Sequence, residues 1–140
     1  MAGKRFTAAL ALVSASHLLL GLANLLRIPP YDPANFIVDG APGTGETPLE
    51  KLLEAVMAGW YLASIAAVLF AFFFGYKSGY PAPFRFSLVC PLLYHLLSSY
   101  NAIFLLPDWG VCNPAKQGPN VIVSFHLGNS LLFLYLVIKT

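Results

Sequence analysis

Long apolar segments alternate with short polar segments along this chain, and the alternation predicts its secondary structure. Four segments are apolar almost throughout, and each is close to the roughly 20 residues that a helix needs to cross a bilayer core. No internal repeat, heptad array or low-complexity tract competes with this interpretation. The pattern predicts one all-α domain over residues 1–140, an integral membrane four-helix bundle with helices at about 6–26, 48–75, 84–106 and 120–139.

Helix-start and turn signals refine these bounds. Thr47, Pro48 and Glu50 combine a capping box with proline at the first helical position, so the second helix should begin at Pro48, ahead of its apolar run. The short connector "GYKSGYPAP" predicts that the second and third helices are antiparallel neighbours. The first apolar run begins like a signal peptide but continues unbroken to Leu26, which favours a retained helix.

Composition makes lipid the expected solvent. The chain is 58% hydrophobic and only 10% charged, against roughly 25% charged in an average soluble domain. Its formal net charge of +2 contains no basic run, so nucleic acid is not expected as a partner.

The charges also predict the orientation of the bundle. One predicted side carries only basic residues, and the other carries every acid of the chain. The basic side holds Lys4, Arg5, Lys77, Arg85 and Lys139. The positive-inside rule then places both termini on the same side, which is cytoplasmic, or matrix-like in an organelle. The sequence predicts a multi-pass membrane protein and leaves open whether it resides in the endoplasmic reticulum or an organelle inner membrane.

The histidines all fall at one predicted depth. At about 1.5 Å per residue, His17 and His95 lie about 16 Å from the basic side, and His126 lies about 20 Å from it. The hydrocarbon core is roughly 30 Å thick, so the three histidines of the chain form a polar layer near its middle.

Small and polar residues accompany each histidine at helical spacing, and they should face the bundle interior because polar groups are costly in hydrocarbon. The inward stripes are Ser14, His17, Gly21 and Asn24; Ser87, Pro91, His95, Ser98, Ser99 and Ala102, flanked by Tyr94 and Asn101; and His126, Asn129 and Ser130. On the second helix the inward face is Glu54, Ala58, Tyr61 and Ser64, and beside it runs a ridge of Ala55, Gly59, Ala63 and Ala67.

Several interpretations of this layer remain open. The polar groups could simply hydrogen-bond across helices and fix their register. They could line a pocket for a lipid-like or sterol-like molecule, in which acid/base isomerisation would use His95, His17 and Glu54. The ligand-binding candidates are then His17, Glu54, Trp60, Tyr61, Tyr94, His95, Ser98, Ser99, His126 and Asn129.

Metal, haem and ion transport are disfavoured by the sequence. No HxxxH or ExxH pair prepares a metal site, and no acid falls at mid-depth, so neither a metal nor another cofactor is predicted. Cys90 and Cys112 lie some 30 Å apart at about 1.5 Å per residue, too far for a disulfide. Cys90 is expected to be a buried small hydrophobe, and Cys112 a loop thiol.

Three short stretches resemble a known family. "SASH" at Ser14 to His17, "LLEAVMAGWYL" around Glu54 and Trp60, and "YHLLSS" at Tyr94 to Ser99 resemble positions of the emopamil-binding/sigma-2-receptor-like superfamily. That resemblance implies a lipophilic pocket bearing acids and aromatics; the family has two acids in its cavity, whereas this sequence offers Glu54. In length, four-helix layout and the spacing from Trp60 to His95, the chain is also similar to the ergosterol-biosynthesis scaffold family, which implies a scaffold.

The sequence thus favours a non-enzymatic membrane scaffold or accessory subunit that associates laterally with a membrane complex, with room for a lipophilic pocket. Other membrane subunits and a membrane lipid or sterol-like molecule are the expected partners. The alternative is a membrane-embedded isomerase or ligand-binding protein that uses the histidine layer.

Overall fold

The computed structural model describes residues 3–26, 48–105 and 120–140, and this part of the chain is all-helical. Its helices are α1 (Lys4–Leu25), α2 (Pro48–Phe74), α3 (Pro81–Tyr100) and α4 (Asn120–Lys139). A π-helical segment, Asn101–Leu105, extends α3. The all-α prediction is confirmed, and the start of α2 at Pro48 agrees with its sequence signal. The α3 helix begins earlier than predicted because Pro81 stands in its first turn, ahead of the apolar run.

Length and hydropathy suit a membrane span in two of these helices. The stretches Lys4–Leu25 and Ala55–Ser78 are long and apolar enough to cross a membrane, and Val123–Lys139 is apolar but shorter. Large apolar side chains also cover the outside of the bundle. Examples from each helix are Leu19, Phe70, Phe86 and Leu131, which are 62% to 78% exposed.

The helices pack as a ring in which each contacts two neighbours. The α1 helix packs against α2 and α4, and α3 packs against the same two helices. Lys4, Tyr76 and Lys139 line one cavity, so the start of α1, the α2–α3 turn and the end of α4 meet at one end of the bundle. We call this the basic end, because it holds Lys4, Arg5, Lys77, Arg85 and Lys139.

Aromatic packing closes the core at the basic end. Phe84 is fully buried and lies 5.3 Å from Phe72, 5.5 Å from Tyr76 and 6.0 Å from Phe6, measured between ring centroids. Phe6 also stacks on Tyr76 at 5.4 Å. Each ring comes from a different helix or from the α2–α3 turn, so this cluster joins α1, α2 and α3. Aliphatic side chains continue the core toward the middle of the bundle, namely Val13, Ile65, Val68, Leu88 and Leu136.

Two glycines set local geometry. Gly79 ends the turn between α2 and α3 at φ 87°, a left-handed conformation that glycine adopts without steric cost. Gly21 packs directly against α2, since a Cβ atom there would lie 2.8 Å from Leu62 Cγ. The absence of a side chain at Gly21 therefore makes room for Leu62 of α2.

Inward and outward faces follow the predicted stripes, with one correction. Ser14, His17, Gly21 and Asn24 are all buried on α1, as their spacing predicted. Cys90 is exposed on α3 and is not the buried small hydrophobe that was expected, because Pro91, the next residue, occupies the inward position of that turn. Cys112, and hence the predicted absence of a disulfide between the two cysteines, lies outside the described residues.

Candidate functional site

Three histidines from three helices contact one another at the centre of the bundle. His95 Nε2 lies 3.0 Å from His17 Nε2, and His95 Nδ1 lies 2.9 Å from His126 Nδ1. His17 and His95 are fully buried, and His126 is 6% exposed. The polar layer predicted from depth is therefore a continuous hydrogen-bonded chain, in which α3 connects to α1 on one side and to α4 on the other.

A backbone carbonyl fixes the direction of this chain. His17 Nδ1 lies 2.8 Å from the Val13 carbonyl oxygen, which only accepts, so Nδ1 of His17 donates. In a neutral imidazole the other nitrogen then accepts, so His17 Nε2 receives a hydrogen bond from His95 Nε2. His95 Nδ1 in turn accepts from His126 Nδ1. Three neutral rings thus complete the chain without a buried charge, and each tautomer follows from the Val13 carbonyl.

A second link joins α1 to α4 beside the histidines. Asn129 Nδ2 donates to the Phe125 carbonyl at 2.9 Å, which leaves Asn129 Oδ1 as an acceptor. Ser16 Oγ lies 3.0 Å from that oxygen and 3.0 Å from the Val13 carbonyl oxygen, so its one hydroxyl hydrogen has an acceptor on α4 and another on its own helix. Sequence reasoning missed Ser16, because it placed the polar stripe of α1 through Ser14 and His17. The available sequence signal for Ser16 was its position directly before His17, which places it about 100° around the helix from that histidine.

Aromatic rings enclose the chain of histidines. Phe133 stacks on His95 with a centroid distance of 5.8 Å and meets His17 edge-on at 5.4 Å. Phe125 lies 5.6 Å from His95 and Tyr61 lies 5.5 Å from His17. These apolar rings fill the space around the imidazoles and keep their hydrogen bonds within the bundle. Phe125 and Phe133 were not among the predicted site residues, since an aromatic on an apolar helix carries no distinguishing sequence signal.

A pair of tyrosines and a tryptophan extend the site toward α2. Tyr61 is buried, and its hydroxyl lies 3.4 Å from the hydroxyl of Tyr94. Tyr94 lies 5.5 Å from Trp60 and 5.7 Å from His126 between ring centroids. The indole Nε1 of Trp60 is buried and has no hydrogen-bond partner among the described residues.

The structure brings together most of the predicted site residues. His17, His95, His126, Asn129, Tyr61, Tyr94 and Trp60 form one continuous cluster. Ser99 is buried but donates to the His95 carbonyl of its own helix at 2.8 Å, so it does not reach across helices. Ser98 is half-buried. Glu54 belongs to α2, and its side chain lies outside the described part of the structure, as does that of Ala102.

The geometry suits hydrogen bonding better than metal binding. A metal ion would need one nitrogen from each histidine to converge on a single point, whereas His95 uses its two nitrogens toward two different partners. Within residues 3–26, 48–105 and 120–140, no group of three His, Cys, Asp or Glu residues is arranged to hold a metal ion. Two cavities, of about 910 and 450 Å³, lie at the basic end, and neither is lined by a histidine.

The fold and the site define an all-α bundle whose core is joined by a chain of buried histidines. No family model matches the chain, and no curated protein and no solved structure matches it. The resemblance to emopamil-binding and scaffold families accordingly stays a prediction.

Proposed function

We propose that this chain is a four-span membrane bundle with both termini on one side, and that it serves as a scaffold or accessory subunit by associating laterally with another membrane protein. The apolar exterior supports the placement in a membrane, because apolar side chains face outward on every helix. Every charged side chain that the structure describes lies at the basic end, in agreement with the positive-inside rule.

The outer face of α2 is the observation that carries the lateral association. Ala58, Tyr61, Ile65, Val68 and Phe72 are buried, so they define the inward face of α2. At 100° per residue, the ridge of Ala55, Gly59, Ala63 and Ala67 centres on the opposite face, and all four of its residues are exposed.

This ridge has the chemistry of a helix-packing surface. In lipid, small residues spaced four apart let two helix backbones approach closely, and van der Waals contact then drives their association. A Cβ atom placed on Gly59 meets nothing within 4 Å, so the ridge is open to a partner. Gly21 on α1, in contrast, is already packed against Leu62 within the bundle. The ridge is thus the small-residue surface of α2 that intramolecular packing leaves unused.

The close packing of the histidines also supports a scaffold. An enzyme or receptor of lipid type would need a cavity beside the histidines, whereas His17 and His95 are fully buried and bonded to each other. In a scaffold, the histidine chain holds the helices in register while the outer surface does the binding.

The experiment is affinity capture from native membranes in mild detergent, with quantitative mass spectrometry of the proteins recovered. Gly59→Leu on the ridge should remove a membrane protein that the wild type retains. Ala15→Leu is the matched control, since Ala15 is also a small exposed residue but lies on α1. Recovery of the same proteins with both variants would refute association through α2. Alkaline carbonate extraction tests membrane insertion separately, and release of the chain from the membrane pellet would contradict it.

A second candidate function, binding of a lipid-like molecule, is favoured by Trp60. Its buried Nε1 lacks an acceptor among the described residues, and the indole lies next to Tyr94, which in turn lies next to His126. A ligand hydroxyl or carbonyl at this position would accept from the indole. Titration with a sterol should then shift the fluorescence of the wild type, and the shift should be lost in Trp60→Phe. An unchanged wild-type spectrum would remove this candidate.

A further inference from the structure

A long groove opens between α1 and α2 at the basic end. Its volume is about 910 Å³, within the range of about 300–1,000 Å³ that is typical of small-molecule sites. Leu10, Ala11 and Leu69 form its apolar floor, and Thr7 and Lys77 lie at its polar mouth. The groove therefore combines a mainly apolar lining, in which Ser14 is a polar residue, with a cation at the basic end.

The lysine is held over the wall of the groove by aromatic rings. Lys77 Nζ lies 4.5 Å from the centroid of Phe73 and 5.4 Å from that of Phe72, both of which line the groove. A cation over an aromatic face is attracted by the ring and keeps its hydrogen-bond donors free for another acceptor.

The surroundings of Lys77 favour an anion. Lys4, Arg5, Arg85 and Lys139 share the basic end, and the side chains described by the structure include no aspartate or glutamate there. The described side chains around the groove mouth accordingly carry a net positive charge. Basic pockets between transmembrane helices near a charged leaflet are suited to acidic lipid headgroups.

We propose that this groove binds one anionic phospholipid, with its phosphate at Lys77 and one acyl chain along Leu10, Ala11 and Leu69. This inference rests on the membrane placement proposed above and not on the lateral partner of α2. A lysine near an anionic surface contributes about 1 kcal/mol, which corresponds to about a fivefold change in affinity.

The test measures lipid binding to the purified full chain by native mass spectrometry, with phosphatidylglycerol and phosphatidylcholine of identical acyl chains as probes. We expect the wild type to prefer phosphatidylglycerol and Lys77→Gln to lose about fivefold in affinity for it. Arg85→Gln is the matched control, because Arg85 is exposed at the same end but does not line the groove. Equal losses in both variants would mean a diffuse charge effect and would overturn the proposal, as would equal affinity of the wild type for the two lipids.

A second pair of variants tests the acyl channel without changing charge. Ala11→Trp fills the groove from an exposed position and should lower phosphatidylglycerol binding, whereas Ala8→Trp, exposed outside the groove, should not. Equal binding by these two variants would refute the channel. Inorganic phosphate is the remaining probe. If phosphate alone raises the thermal stability as much as phosphatidylglycerol does, the groove is an anion site and the lipid proposal is overturned. Carbonate extraction distinguishes a failure of lipid binding from a failure of membrane insertion. The affinity capture with Gly59→Leu tests lateral association independently of both.

Discussion

Replacement of the central histidine gives the most direct test of what the polar layer does. His95 makes both side-chain contacts that connect α3 to α1 and α4 through the layer, at 3.0 and 2.9 Å. His95→Leu keeps an apolar side chain in the site but removes both hydrogen bonds. It also leaves His17 Nε2 without its donor and His126 Nδ1 without its acceptor.

The expected loss of stability follows from these two bonds. Interhelical hydrogen bonds in membrane bundles average about 0.6 kcal/mol, so two of them set a lower limit of about 1 kcal/mol. A buried polar group left unpaired costs about 1–3 kcal/mol, and the variant leaves two such groups in a fully buried environment. We expect His95→Leu to lower the free energy of unfolding by about 2–4 kcal/mol.

His95→Gln is the matched control for this substitution. A glutamine amide carries one N–H donor group and one carbonyl acceptor, as the neutral imidazole of His95 does. It should therefore retain most of the stability and lose less than about 1 kcal/mol. Reversible unfolding by sodium dodecyl sulfate in mixed micelles, followed by circular dichroism, measures both variants. If His95→Leu is as stable as the wild type, or if the Leu and Gln variants lose the same amount, the histidines do not join the helices.

The remaining predictions concern the tautomers and the packing around them. Nitrogen-15 NMR should find Nδ1–H tautomers at His17 and His126 and an Nε2–H tautomer at His95; any other alternation would contradict the direction set by the backbone carbonyl. Gly21→Leu should destabilise the bundle by about 1–3 kcal/mol through overpacking against α2. In the same detergent unfolding assay, the Gly59→Ala control should be as stable as the wild type or slightly more stable. Phe84→Ala should cost about 3–5 kcal/mol in the same unfolding assay, and a loss below about 1 kcal/mol would argue against the aromatic cluster.

The helices could be predicted from the sequence because their signals are local. Pro48 after Thr47 marks the start of α2, and the turn ending at Gly79 needs a residue that tolerates positive φ. The identity of the buried face was also predictable on α1 and α4, where His17, Asn24 and Asn129 recur at helical spacing. The common level of the three histidines was predictable as well, because counting residues from the basic side at about 1.5 Å each gives them similar depths.

The details of the site depend on tertiary geometry that spacing does not encode. Which imidazole nitrogen donates is set by the Val13 carbonyl, and this contact exists because His17 turns back along its own helix. The cross-helix contact of Ser16 depends on how closely α1 and α4 approach at this level, which helical spacing does not encode. The rotation of α3 likewise explains the exposure of Cys90, because burial of Pro91 turns the preceding residue outward.

The direction of the histidine chain also bears on proton transport, which a row of hydrogen-bonded histidines would otherwise suggest. A proton received by His126 could pass through His95 to His17, because each step exchanges a donor for an acceptor. At His17 the next partner is the Val13 carbonyl at 2.8 Å, which accepts a hydrogen bond but cannot pass a proton onward. The nearby Ser16 hydroxyl, 3.3 Å from His17 Nδ1, lies 3.0 Å from both the Val13 carbonyl oxygen and Asn129 Oδ1, and neither of these acceptors passes a proton onward.

The chain is thus closed at its α1 end, and we predict no proton flux through it. Proteoliposomes that contain the wild type and a pH-sensitive dye should acidify no faster than liposomes that contain His95→Leu. Faster acidification with the wild type would mean that the chain opens beyond Val13, and the interpretation of the layer as a structural connection between helices would be wrong. Equal rates, together with a lower unfolding free energy for His95→Leu, would identify the histidines as the residues that hold α1, α3 and α4 in register.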